Sequence, residues 1–187
     1  MGFWRLALAV MLLAVSTNPV NAQGSPVHCG LSILPGTIQT TLKERFPAWR
    51  IQQLADLGPD ARETWKGAKP LGCPGVAVGK FENSNISYAV LLVPVVHPDS
   101  AYKLLAFGID APGKFNLAVV EEWKGRGASN YFLHTERVKK WFDSHWIRKL
   151  HAKAEDGILF VDAGSKEFEA DLYFWADGRF QHDWVDY

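Results

Sequence analysis

Residues 86–96, Ile-Ser-Tyr-Ala-Val-Leu-Leu-Val-Pro-Val-Val, limit the possible folds more than any other stretch of the chain. Val90, Leu91, Leu92 and Val93 are apolar at consecutive positions. Successive side chains of a strand point to opposite faces, so this run is apolar on both. That pattern belongs to a strand at the centre of a sheet.

The segments around it read as partners for that strand. Residues 76–81, 102–109, 115–123, 158–162, 169–175 and 179–185 are short apolar or alternating runs, and residues 131–135 form another that pairs back. Turn chemistry separates them: His97-Pro98-Asp99-Ser100, Asp110-Ala111-Pro112-Gly113, Lys124-Gly125-Arg126-Gly127 and Gly164-Ser165-Lys166. Asp177-Gly178 between the last two runs is a strong hairpin signal. Residues 49–54 alternate as a further strand.

Helical signals are fewer. Leu34-Pro35-Gly36-Thr37 has the form of a helix entry with proline near the first turn. Ile38, Leu42 and Phe46 then share one face, Lys43, Glu44 and Arg45 face water, and Pro47 ends the segment. Residues 56–72 hold Gly58, Pro59, Gly67 and Pro70 and read as a loop with at most one helical turn near 61–65. Val138, Trp141, Phe142, His145 and Lys149 share a helical face, which places a second helix near 136–150. The expected fold is therefore α+β: one domain, mainly antiparallel sheet, with an N-terminal helix and a second near 136–150.

The first 22 residues have the layout of a secretory signal peptide. Arg5 precedes an apolar run at 6–15, and Val20-Asn21-Ala22 supplies small residues before Gln23. A bilayer span needs about 20 apolar residues, more than this run has. Residues 23–187 would then be the exported chain, with a formal charge of −1. That balance gives no electrostatic case for nucleic acid, and no later run is long enough to span a membrane. Cys29 and Cys73 are the only cysteines. In an oxidising compartment they predict one internal disulfide, worth roughly 4 kcal/mol in the chain-entropy model.

Motifs for catalysis and metal binding are sparse. No Gly-x-Ser-x-Gly elbow and no His-Glu-x-x-His occurs, so no cofactor or metal is expected. Gly125-Arg126-Gly127-Ala128-Ser129 has the look of an anion-binding loop but reads better as a turn with an exposed arginine. His182 and Asp183 are strand neighbours and diverge, although His182 could meet Asp171 or Glu167 across the hairpin. Glu121 and Glu122 diverge for the same reason, so only one of them can face any cleft.

Residues 73–94 carry a family likeness. Cys73-Pro74-Gly75, Gly79, Phe81 and Tyr88-Ala89-Val90 resemble a degenerate segment of FG-GAP/VCBS type, and the closing Tyr173-Phe174-Trp175-Ala176-Asp177-Gly178-Arg179-Phe180 is similar to an aromatic-Trp-x-x-Gly-x-Phe run such secreted bacterial proteins often carry. The likeness covers about twenty residues. It implies a β-loop-β unit whose acidic loop positions hold calcium through oxygen ligands. Here the first acidic position is Lys80 and the last is Ser87, which argues against calcium. The chain is also too short for a multi-blade propeller.

Aromatic residues and arginines are concentrated in the C-terminal half. Trp123, Arg126, Tyr131, Trp175, Arg179 and Trp184 are the candidate binding residues, because Trp, Tyr and Arg dominate binding hot spots. The function expected from the sequence is an exported, non-enzymatic binding protein, periplasmic or extracellular: a periplasmic inhibitor or immunity-type protein with another protein as partner. Either the 125–127 loop or the 177–179 hairpin tip would plug that partner. The rival is a secreted glycan-acting hydrolase using Glu121 or Glu122, which requires two carboxyl groups converging on a cleft.

Overall fold

A computed structural model describes residues 29–68, 72–83, 85–111, 114–141, 155–164 and 169–186. Among them the chain passes through a 3₁₀ turn (Leu31–Ile33), α1 (Gly36–Arg45), β1 (Trp49–Ile51), a 3₁₀ turn (Leu54–Asp56), α2 (Pro59–Gly67), β2 (Val76–Gly79) and β3 (Ser87–Pro94). It continues through β4 (Ala101–Ala111), β5 (Lys114–Lys124), β6 (Tyr131–Arg137), a 3₁₀ turn (Val138–Trp141), β7 (Asp156–Asp162), β8 (Glu169–Ala176) and β9 (Arg179–Asp186).

The strands form two antiparallel sheets. In the first, β3 lies between β4 and a divided edge: β2 pairs with residues 87–90 of β3, and β1 pairs with residues 92–94. β5 forms the other edge, beside β4. The second sheet is a meander in the order β6-β7-β8-β9.

Strand alternation then fixes the layers. Ala89, Leu91 and Val93 of β3 join Leu104 and Ala106 of β4 and meet Leu133, Ile158 and Phe160 of the second sheet in a shared core. Val90 and Leu92 point the other way, with Leu105 and Phe107, and are covered by Ile38 and Leu42 of α1. The outer face of the second sheet, including Phe132, Leu159, Leu172 and Phe174, is covered by Leu57, Ala61 and Trp65 in and around α2. The fold is α+β, with its layers in the order helix, sheet, sheet, helix. The central position of residues 90–93 and the covered face of α1 agree with the sequence.

One side of the sandwich is stitched shut by hydrogen bonds between the sheets. The Leu133 amide donates to the Pro74 carbonyl at 2.7 Å. Thr135 Oγ1 donates to the Val78 carbonyl at 3.0 Å. Gln52, fully buried, donates through Nε2 to the carbonyls of Ala128 and Tyr131 at 2.6 and 2.9 Å. Cys29 and Cys73 form the expected disulfide, with Cα atoms 5.4 Å apart, and pin the N-terminal residues to the start of β2.

Two expectations are corrected, and a third in its first residues. Residues 59–67 form a helix of nine residues, longer than a single turn. Pro59 is at its first position, where the missing N–H costs nothing, Asp60 lies in the positive first turn, and Ala61 and Trp65 share the buried face. The strand at 131–135 leaves the first sheet and opens the second, pairing with β7. Of the expected helix at 136–150, residues 136–137 belong to β6 and 138–141 form a 3₁₀ turn; the rest lies outside the described residues, as does the leader at 1–22.

Candidate functional site

On the side away from the stitches, the inner faces of β5, β8 and β9 run on past the sealed core. The β4–β5 register explains how β5 does this. Tyr102 lies opposite Trp123, Leu104 opposite Glu121 and Leu105 opposite Val119, so Val120 is an extra residue at a bulge. Tyr102 and Leu104 face inward, and their partners Trp123 and Glu121 share that face; Val120 also packs against the shared core. Glu121 and Glu122 diverge as the sequence required. Glu122 lies on the other face, with the Lys103 ammonium at 2.6 Å and that of Lys124 at 3.9 Å.

The β8–β9 hairpin supplies the opposite wall. Tyr173 faces the shared core, so its alternation partners Asp171 and Trp175 do as well. The register sets Trp184 opposite Asp171, His182 opposite Tyr173 and Phe180 opposite Trp175. Asp177 (φ 53°) and Gly178 (φ 78°) make the two-residue turn that fixes this register. Trp175 meets Phe180 edge-on at 5.1 Å, and the His182 ring lies over Tyr173 at 5.7 Å. His182 Nδ1 is 3.6 Å from Asp171 Oδ1, an ion-pair contact when the imidazole is protonated.

Solvent reaches this part of the inter-sheet space. Trp123 is 52% exposed and Trp184 54%, whereas Leu91, Leu104 and Ile158 of the same layer are fully buried. Glu121 sits at the boundary, half-buried, and accepts a hydrogen bond from the Tyr102 hydroxyl at 2.8 Å. Burial pushes its carboxyl above the usual carboxylate range; the Tyr102 hydrogen bond opposes that, Asp171 adds to it and His182 offsets part. The influence of Asp171 and His182 on Glu121 couples the two walls. Burial, reinforced by the Glu121 carboxylate, pushes the Tyr102 phenol up as well.

The six candidate residues divide into three groups. Trp123, Trp175 and Trp184 lie on the inner faces of β5, β8 and β9. Tyr131 is buried, stacked on Phe160 with ring centroids 4.6 Å apart, and Arg126 is committed within the chain, over the Tyr131 ring at 4.9 Å and 3.2 Å from Asp162. Its loop is a packed turn: a Cβ on Gly127 would come within 2.3 Å of the Asp99 backbone. Arg179 pairs with Ala176, which belongs to the outer core, so it does not share the inner face.

Asp171 and His182 do meet across the hairpin, while Glu167 lies outside the described residues. As site residues, sequence reasoning passed over Tyr102, and also Tyr173 and Phe180, whose signal was the alternation of Asp171-Tyr173-Trp175 with Phe180-His182-Trp184 against Leu172, Phe174 and Val185; Tyr102 enters only through the β4–β5 register that sets it opposite Trp123. Lys80, in the segment with the family likeness, pairs with Glu155 at 3.2 Å, and its amide donates to Asp156. Among the described residues no three His, Cys, Asp or Glu side chains gather as a metal site. No family model matches the chain, and no significant match is found among curated proteins or solved structures.

Proposed function

We propose that this chain is an exported, non-enzymatic binding protein, of inhibitor or immunity type, whose open inner face receives a segment of a partner protein. The observation that carries the reading is the half-exposed pair Trp123 and Trp184 on the opposed walls, with Glu121 on the same wall as Trp123. Aromatic anchors on strands lose little conformational entropy on binding and form the hot spots of protein interfaces. The test is capture from periplasmic extract. The intact protein and Arg179→Ala should retain one stoichiometric protein that Trp123→Ala and Trp184→Ala both lose. Capture of no stoichiometric protein, or equal capture by all four, overturns the reading.

One observation favours a second reading, a glycan-acting hydrolase. Glu121 has the raised carboxyl of a general acid, and Asp171 acts on it from the opposite wall. Under this reading Glu121→Gln abolishes release of reducing ends from cell-wall glycan, and Glu122→Gln does not. Absence of any release by the unmodified protein rules it out.

A further inference from the structure

A second concavity lies on the far side of the first sheet, apart from the inner face. The C-terminal part of α1, strand β1 and the residues after Cys29 enclose a pocket of about 360 Å³. Leu31, Leu42, Phe46 and Trp49 are among its apolar walls, and Lys43 and Arg50 are its charged groups. No Asp or Glu lines it.

The two cations differ. Arg50 is already held by Asp56 through paired bonds of 2.6 and 2.7 Å. Lys43 is exposed and has no ion-pair partner among the described residues. It also exceeds what the helix end needs, since Arg45 stands in the same last turn against the carbonyl dipole. Trp49 is held in place by the Lys103 ammonium, 4.8 Å from its ring. The result is an apolar recess, near the lower end of ligand-pocket volumes, with an uncommitted positive charge beside it.

We infer that this pocket binds a free medium-chain carboxylate: an alkyl tail of about ten carbons in the recess and the carboxylate on Lys43. Apolar burial supplies the affinity, and Lys43 supplies selectivity for an anionic head over a neutral or cationic one. The site shares no lining residue with the Trp123–Trp184 face, so neither assignment depends on the other.

The test uses the intact chain and three probes of equal tail length: sodium decanoate, 1-decanol and decyltrimethylammonium. The readout is the indole N–H resonance of Trp49, assigned by its loss in Trp49→Phe. Decanoate should shift it saturably, below the concentration at which it forms micelles, and decyltrimethylammonium should not. Lys43→Glu should weaken decanoate by about fivefold, the scale of one exposed ion pair, and leave 1-decanol unchanged. Leu31→Trp, which narrows the recess, should weaken both. The proposal is overturned by no saturable shift, by equal binding of the cationic probe, or by a Lys43→Glu variant that binds decanoate normally. A shift seen only with phosphatidylglycerol vesicles would make the surface a membrane contact and overturn it too. So would a pocket already filled by the residues ahead of Cys29.

Discussion

The two sides of the inter-sheet space are built from the same two sheets and behave in opposite ways. On the stitched side, β2 and β6 are joined by hydrogen bonds, and the shared core that begins there, with Leu91, Ile158 and Phe160, is buried. On the open side, β5 faces β8 and β9 with tryptophans, a histidine and two carboxyl groups, partly in water. A side chain buried on the first side contributes to stability through packing. One on the second has little packing to lose and is available to a ligand. Tight packing and solvent exposure are thereby separated to different ends of one layer.

The largest effect should come from Phe160→Ala, which removes a fully enclosed ring stacked on Tyr131. We expect a loss of about 4 kcal/mol in chemical denaturation. A loss near zero would mean that the stitched side is not the main core. Gln52→Ala comes next. It strips the buried Tyr131 carbonyl of its donor and leaves the Ala128 carbonyl only the Tyr131 amide at 3.0 Å, and about 2 kcal/mol should be lost.

The third prediction sets the two sides against each other by pH. Glu121, on the open side, holds its proton more tightly folded than unfolded. Its contribution to stability is present below the unfolded-state value and lost as pH rises through the folded-state value. Asp56, beside the stitched edge, has the reverse sign. Burial raises its carboxyl, but the Arg50 and Gln53 hydrogen bonds outweigh that and hold it below the usual range. Its contribution is present above the unfolded-state value and lost as pH falls through the folded-state value. Melting temperatures across the acid range should show this: Glu121→Gln should lose its disadvantage relative to the parent as pH rises, and Asp56→Asn should gain one. Parallel curves for both variants would refute the contrast.

Trp123→Ala and Trp184→Ala should be the smallest in stability, within about 0.5 kcal/mol, the ordinary range for surface positions. If either cost as much as Phe160→Ala, the open side would be a second core and the division would fail.

Much of this frame could be read from residue types. The apolar pair of faces at residues 90–93 located the central strand, and Ile38 with Leu42 located the covered face of α1. The Asp-Gly dipeptide located the last hairpin. What stayed hidden was non-local. Gly58-Pro59-Asp60 looks like loop chemistry, and only burial of Ala61 and Trp65 against the second sheet makes residues 59–67 a helix. Nothing within residues 131–137 states that they pair with β7 and leave the first sheet. The candidate tryptophans were visible one at a time. Their convergence needed the bulge at Val120, which no local pattern announces, and the coupling of Glu121 to Asp171 needed two sheets whose separation the sequence does not encode.

The Asp177-Gly178 turn also acts on residues far from itself. Both of its residues adopt positive φ, so the loop between β8 and β9 holds two residues and no more. Inserting a single residue there would shift the parity of β9 relative to β8. His182 and Trp184 would turn outward toward α2, and Gln181, Asp183 and Val185 would take their places inward. Exposed itself, this dipeptide decides which face of the last strand is turned toward the space between the sheets.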